Sequence, residues 1–194
     1  MSEVSLCIDS IKIYLQVVFG YCSGFIPCRS FQEKNASNNP MPHNIWVETD
    51  GNIIDSIKPF AEYANKEQAA FYVIPGTVTE RGHAKSAEIL QMQTVLVDID
   101  TGNTEEKLQT LIKHLLDPTL IIESGGITTD GYKKLHAYWQ LSEPAEGMEL
   151  QKLLDLRYHI ALCIGGDTHF KSAHQPIRVA GSIYHKGRVR KLVT

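Results

Sequence analysis

The order of strands and helices predicted from residue 94 onward constrains the fold of this chain most strongly. Apolar or β-branched runs typical of strands alternate with two stripes of leucine and isoleucine at helical spacing. The strands are predicted at 94–100, 119–123, 135–141 and about 177–184, with a helix after the first and after the third. This β-α-β-β-α-β order is typical of a split βαβ arrangement, in which two helices cover one face of a four-stranded antiparallel sheet.

The residues before this segment predict a second, α/β lobe. Apolar residues recur at helical spacing from Val4 to Val18, which indicates an amphipathic helix rather than a signal peptide or a membrane span. Strands are predicted at 21–31, 43–48 and 70–74, with a polar loop at 32–42. We therefore expect an α+β fold that forms one domain over 1–194, with a lobe at 1–90 packed on a lobe at 91–194.

The composition narrows the classes of protein further. The 194 residues include 43% hydrophobic side chains, which suits a globular domain and excludes collagen-like, coiled-coil and disordered chains. The net charge of -3 argues against binding nucleic acid through bulk positive charge, although a local basic groove is compatible with it. The four cysteines form no CxxC pair, so we expect reduced thiols in a cytoplasmic protein, with no structural zinc and no membrane contact.

Acidic residues are expected to meet at one edge of the predicted sheet. Asp98 and Asp100 lie two apart on a strand, so their side chains share a face. The split topology brings His136, at the start of the third strand, and Asp167, before the fourth, to the same edge. Three carboxylates suit two hard divalent ions, Mg²⁺ or Mn²⁺, positioned for phosphoryl or nucleotidyl transfer. The alternative for Asp-x-Asp alone is a polar strand end or a helix cap.

Cationic residues are predicted around the same edge. They are Lys133, Lys134, Arg178, Lys186, Arg188 and Arg190. Arginine binds phosphate through paired donors and lysine binds it as a point charge, whereas most surface lysines are only solvated. Ser124-Gly125-Gly126 permits close backbone approach to a phosphate, and a plain glycine-rich turn explains it nearly as well.

The remaining histidines, cysteines and tryptophans are predicted to be structural. The other seven histidines share no ligand spacing. Cys163 is predicted to lie on the buried stripe of its helix, as a small apolar residue. Trp46 and Trp139 are predicted to belong to the core rather than to stack on bases.

These residues resemble the motifs of the archaeo-eukaryotic primase superfamily, in particular its plasmid- and phage-borne, RepB-like primase-polymerase branch. Val95-Leu96-Val97-Asp98-Ile99-Asp100 is similar to the metal-binding first motif, and Gly165-Gly166-Asp167 to the third, which supplies another metal ligand. Ser124-Gly125-Gly126 with Lys134-Leu135-His136 resembles the second motif, whose histidine contacts the phosphates of the incoming nucleotide. Many members have a serine where this chain has Lys134. The segment 175–182, with Arg178 and with Lys186 beyond, resembles the basic strand that holds the triphosphate.

The resemblance implies an RRM-like catalytic lobe and DNA-templated nucleotidyl transfer by a two-metal mechanism, for primer synthesis or extension. The implied partners are single-stranded DNA, NTP or dNTP, and a helicase domain or protein, and the chain would be a fragment of a longer replication protein. Arg29 is expected to reach the nucleotide from the first lobe.

Three other classes of protein are considered at this stage. A haloacid dehalogenase phosphatase also carries Asp-x-Asp on a strand, but that strand normally opens a parallel, doubly wound sheet. A glycosyltransferase with Asp-x-Asp would need a longer chain. A non-catalytic replication initiator that binds DNA would retain the fold, and the intact acidic set argues against it.

Overall fold

The computed structural model describes residues 4–32, 42–186 and 189–194. Most of the loop predicted at 32–42, and Arg188, lie outside these ranges. The helices are α1 (Ile8–Phe19), α2 (Ile53–Lys66), α3 (Thr104–Leu115) and α4 (Gly147–Ile164). The strands are β1 (Phe25–Phe31), β2 (His43–Glu48), β3 (Ala70–Val73), β4 (Thr77–Val78), β5 (Ile89–Ile99), β6 (Leu120–Ile127), β7 (Lys133–Glu146), β8 (Ile177–Arg178), β9 (Ile183–Lys186) and β10 (Val189–Leu192).

One large sheet runs through both predicted lobes. Its strand order is β6-β7-β5-β4-β1-β3-β8, and β2 pairs with the free edge of β1. Every pair of neighbouring strands described is antiparallel. The predicted α+β class is therefore confirmed, with β4 joining the two halves of the sheet.

The pairing of the last predicted strand differs from the expectation. The prediction of a single strand over about 177–184 is wrong, because two short strands occupy this range: β8 pairs with β3, and β9 forms a separate hairpin with β10. A turn interrupts the apolar run: the Ser182 N–H donates to the Val179 carbonyl, and Gly181 adopts φ +80°. A β-carbon on Gly181 would lie only 2.3 Å from the Cys7 carbonyl oxygen, so the backbones approach where only glycine fits.

Two apolar clusters lie on opposite faces of the sheet. Alternation along β5 sends Leu96 to the face covered by α1, where it packs near Tyr138, and sends Val95 and Val97 to the face covered by α3 and α4. Asp98 lies two residues after Leu96 on β5 and therefore projects from the same face as Leu96. The acidic residues therefore lie on the face away from α3 and α4.

The ends of the helices next to β5 follow local rules. Asn103 caps α3, since its side-chain oxygen accepts a hydrogen bond from the Glu106 N–H at 3.1 Å. Gly165 ends α4 in the left-handed conformation, at φ +63°. Within the described ranges, no helix combines the length and the apolar run that crossing a bilayer requires.

Three side chains lie elsewhere than predicted. Cys163 is exposed, because it follows the buried Ala161 by two residues, about 200° around α4. Trp46 and Trp139 are only half-buried, at the margin of the apolar cluster that α3 and α4 cover. Each indole N–H donates to a backbone carbonyl, that of His83 for Trp46 and that of Leu116 for Trp139.

Candidate active site

The centre of the candidate site is a row of residues across β5, β7 and β6. Asp98 lies directly opposite His136, and His136 lies opposite Ile122. Residues directly opposite in antiparallel strands project from the same face. The Asp98 Oδ1 and His136 Nε2 atoms are 3.8 Å apart, which is close but longer than a hydrogen bond.

His136 is a neutral imidazole in this environment. The residue is only 4% exposed, and burial together with the nearby Lys134 ammonium lowers its pKa to about 3. Its Nδ1 atom is buried and makes no hydrogen bond. A buried, unpartnered ring nitrogen is costly, and such groups are typical of sites that bind a ligand.

Asp98 lies in a strongly acidic environment. Burial, followed by the charges of Asp100 and Asp167, raises the pKa of Asp98 to about 7, while the Lys134 ammonium lowers it. Lys134 Nζ is 3.4 Å from Asp100 Oδ2, so one lysine partly neutralises two acids. A nearly buried carboxylate surrounded by like charges is destabilised until a cation approaches.

The end of α4 brings Asp167 beside β5. The Asp167 N–H donates to the Asp98 carbonyl at 3.0 Å, and a β-carbon on Gly166 would lie 2.9 Å from that same oxygen. Glycine at 166 is therefore what allows this approach. The Asp167 carboxylate accepts a hydrogen bond from the His169 N–H at 2.8 Å and lies 2.5 Å from His169 Nδ1.

The acidic residues suit hard divalent ions in their chemistry. Asp98 and Asp100 present carboxylate oxygens on one face of β5, and carboxylate oxygens are the ligands that Mg²⁺ and Mn²⁺ prefer. Among the residues that the structure describes, no three acidic, histidine or cysteine side chains yet converge into a metal cage. Asp167 is engaged with His169, so its role as a third ligand stays a prediction.

A basic and aromatic cluster lies against the glycine-rich segment of β6. The Arg178 guanidinium lies over two rings, 4.7 Å from the centroid of Tyr184 and 5.3 Å from that of Tyr72. We call these three residues the arginine clamp. Cation–π contacts with both rings restrict the orientation of the guanidinium, whose pKa is lowered by burial without loss of its charge.

Gly125 connects the arginine clamp to the acidic residues. Its φ is +85°, and a β-carbon there would lie 2.7 Å from the Cβ and Cγ atoms of Tyr184. The neighbouring Ser124 is buried and donates to the Lys134 carbonyl at 3.3 Å. The glycine thus lets β6 pass directly under the tyrosine that supports Arg178, so the glycine-rich segment has a packing role as well.

The solved structures to which this chain is similar share its fold. The AEP domain of the cyanophage S-2L primase-polymerase superposes with a TM-score of 0.70, over 97% of this chain and 89% of that one, at 16% identity. The chain has the archaeo-eukaryotic primase fold. The catalytic domain of primase RepB' in complex with initiator DNA gives 0.64, over 96% and 82%, at 14% identity. A further structure of primase RepB' gives 0.63 at 14% identity, with 96% of this chain matched to 54% of that one.

No family model matches the sequence, and neither does any curated protein. The similarity is therefore carried by the backbone, which keeps the primase fold at identities where sequence comparison fails. The archaeo-eukaryotic primase fold inferred from the motifs is confirmed.

The predicted site residues fall into three groups within the primase fold. One is the acidic and histidine group around β5 and β7, with Lys134 and Ser124. A second is the arginine clamp with Gly125, and Lys186 follows Tyr184 by two residues on the same face of β9. The third is Arg29 alone, which lies on β1, two strands from β5 in the sheet.

Sequence reasoning missed the two tyrosines of the arginine clamp. Tyr184 stands in the predicted last strand, two residues before Lys186, and its neighbourhood in the sequence offered a weak signal. Tyr72 lies in a short apolar strand, and nothing local marks it. Only the pairing of β3 with β8, which sets Tyr72 opposite Arg178, identifies it.

Proposed function

We propose that this chain is the catalytic domain of a primase-polymerase that performs DNA-templated nucleotidyl transfer in the replication of a plasmid or phage. The observation that carries the proposal is the convergence of Asp98, Asp100 and His136 on one face, to which the segment Ser124-Gly125 links the clamped arginine. The likeness of the fold to primase-polymerase and primase structures supports it. We expect a helicase domain or protein as the replication partner.

The acidic residues would hold the metal ions of the reaction. Two bound Mg²⁺ or Mn²⁺ ions would activate a 3′-hydroxyl and stabilise the pyrophosphate leaving group. Asp98 and Asp100 supply the carboxylate oxygens, and Asp167 adds negative charge next to Asp98. Lys134, which now neutralises part of this charge, would be displaced toward the phosphates.

The nucleotide would lie between the acidic residues and the arginine clamp. His136 is neutral, so it donates one hydrogen bond to a phosphate oxygen without adding a charge that would repel the metals. Arg178, Lys134 and Lys186 would bind the triphosphate, and Gly125 would leave its backbone N–H accessible to a phosphate. We also expect Arg29 to reach the nucleotide, from β1.

Primer synthesis and primer extension on single-stranded DNA test the proposal directly. Products should require template, a divalent metal and either NTPs or dNTPs, and a chelator should abolish them. Hydrolysis of a phosphomonoester without template would instead favour the phosphatase class. A folded protein that binds DNA and makes no product with either nucleotide type would favour a non-catalytic initiator.

Replacing Gly125 with alanine is expected to weaken nucleotide binding through Tyr184. The new β-carbon must displace the ring that supports Arg178, so we expect KM for the nucleotide to rise about tenfold, equivalent to about 1.4 kcal/mol, with a smaller change in kcat. Steady-state primer extension over a range of nucleotide concentrations measures both constants.

Gly131→Ala is the matched control for this prediction. Gly131 has φ +89°, as strained for alanine as position 125, but no atom lies within 4 Å of its would-be β-carbon. The control should therefore keep the wild-type KM. Equal losses in the two variants would attribute the effect to backbone strain and contradict the role of Tyr184.

A further inference from the structure

A pocket of about 470 Å³ lies on the face of β1 and β2 and shares only Arg29 with the candidate active site. Its lining consists of the strand residues Arg29, Asn44 and Trp46, of residues 82–85 with Glu88 from the segment 79–88, and of His174. None of the catalytic steps above uses Trp46, the segment 79–88 or His174.

The charge of the pocket favours an anionic ligand. Arg29 and Lys85 line it, and the exposed Arg81, whose guanidinium is 5.3 Å from the Phe25 ring centroid, directly precedes the lining residue Gly82 in the chain. The one carboxylate in the lining, Glu88, accepts hydrogen bonds from the Lys85 N–H at 2.7 Å and from the Ala84 N–H at 2.9 Å. These bonds lower its pKa, and they occupy the carboxylate in shaping the 79–88 segment.

The pocket also presents an aromatic surface. The Trp46 indole N–H donates to the His83 carbonyl at 2.7 Å, which fixes the ring against the 79–88 segment. The indole is half-buried, with its polar atom already satisfied, so what it offers a ligand is apolar ring surface. Cations alternating with aromatic rings are the chemistry that binds single-stranded nucleic acid, through phosphate contacts and base stacking.

Strand pairing places the pocket residue Arg29 close to the arginine clamp. Arg29 lies directly opposite Tyr72 across β1 and β3, and Tyr72 lies opposite Arg178 across β3 and β8. Opposed residues share a face and their Cα atoms are about 5 Å apart, so only Tyr72 separates Arg29 from Arg178 in this row. A strand bound in the pocket would therefore lead to the site where the nucleotide is proposed to bind.

The geometry points to this pocket as a binding site for the single-stranded DNA template, with a base against Trp46 and a phosphate held by Lys85 and Arg81. This assignment rests on the proposed function for the identity of the strand as template. It departs from the core role that the sequence predicted for Trp46.

Tryptophan fluorescence reports directly on the pocket. The chain has two tryptophans, so Trp139→Phe leaves Trp46 alone and Trp46→Phe leaves Trp139 alone. Adding a short oligothymidine should quench the emission of the Trp46-only protein and leave that of the Trp139-only protein unchanged. No quenching of Trp46 while the oligonucleotide is bound would overturn the assignment, as would equal quenching by a free nucleoside triphosphate.

Binding of the labelled oligonucleotide by anisotropy tests the energetics. Trp46→Leu should weaken binding at least fivefold, whereas Trp46→Phe should keep it within about twofold, since stacking needs a ring and not the indole nitrogen. Lys85→Ala should reduce the slope of log affinity against log salt by about 0.7, the value for one phosphate contact on a single strand. Trp139→Leu and Lys152→Ala are the matched controls, and effects equal to theirs would refute the site.

The outcomes separate this assignment from the proposed function. Because binding needs no catalysis, quenching of Trp46 and its loss of affinity should appear equally in the Asp98→Ala/Asp100→Ala protein. If the chain binds DNA through Trp46 but makes no product, the result supports the pocket and contradicts the polymerase function. A chain that makes product with no dependence of DNA binding on Trp46 or Lys85 would retain the polymerase and lose the pocket.

Discussion

The Asp98→Ala/Asp100→Ala protein is expected to synthesise and extend primers at least 100-fold more slowly than the wild type. Both carboxylates lie on the same face of β5, and removing them removes the oxygen ligands proposed for the metal ions. Metal ions contribute several kcal/mol to stabilising such transition states, and each 1.36 kcal/mol is a factor of ten in rate. Initial rates of primer extension at saturating nucleotide, with Mg²⁺ and with Mn²⁺, give the comparison.

Asp130→Ala is the control for this prediction, because it removes an exposed carboxylate from the turn between β6 and β7. Its rate should equal that of the wild type. The double variant should unfold at no lower temperature than the wild type, since it loses two mutually repelling charges. Substantial templated synthesis by the folded double variant would refute the proposed metal site.

Asp98→Asn is expected to raise the stability of the metal-free protein at pH 8 and to leave it unchanged at pH 4. In the folded protein, burial and the charges of Asp100 and Asp167 raise the pKa of Asp98 from 3.8 to about 7. The folded state therefore holds a proton that the unfolded state releases, so stability falls as pH rises from about 4 to about 7. Asparagine mimics the protonated acid and removes this loss.

The size of the effect follows from the shift in pKa. The pKa of Asp98 differs by about three between the folded and unfolded states, and each pKa unit corresponds to about 1.36 kcal/mol. The free energy of unfolding at pH 8 is therefore lowered by at most about 4 kcal/mol. For a chain of this length each kcal/mol moves the melting temperature by about 2–4 °C, so the asparagine variant should melt several degrees higher. Thermal unfolding followed by circular dichroism, with chelator present and at several pH values, measures this difference.

Divalent metal should reverse the order of stability. Mg²⁺ or Mn²⁺ binds the folded wild type through its carboxylates and raises its melting temperature, and the asparagine variant should respond much less. A wild type that melts at the same temperature as Asp98→Asn at pH 8 without metal would contradict the raised pKa. The ionised Asp98 carboxylate would then not destabilise the metal-free protein, and its environment would not favour cation binding.

These two predictions describe one trade-off in the primase fold. Asp98 is held nearly buried among acids, which destabilises the metal-free chain and favours cation binding. Functional sites commonly carry such local costs, which the rest of the structure offsets. Here the two apolar clusters that pack against β5, one on each face, compensate for this loss of stability.

Local patterns in the sequence were enough to predict the elements around the site. The β-branched run gave β5, Asn103 and Gly165 marked the start of α3 and the end of α4, and the strand order placed His136 beside Asp98. The strand and the helix ends depend on residues that are close in the chain, and the pairing of His136 with Asp98 depends on a topology with few alternatives. The sequence pattern is therefore enough to predict them. The assignment of catalytic roles stays a prediction.

The sequence by itself determined the periodicity of each element, the caps and the parity that puts Asp98 and Asp100 on one face. Only the tertiary structure decided that β8 pairs with β3 and that Arg178 makes cation–π contacts with Tyr72 and Tyr184. The tertiary structure also decided that Trp46 lines a pocket. The physical reason is the range of the interactions. A two-residue strand such as β8 carries almost no periodic signal, so its pairing is set by contacts more than 100 residues away, between Tyr72 and Arg178.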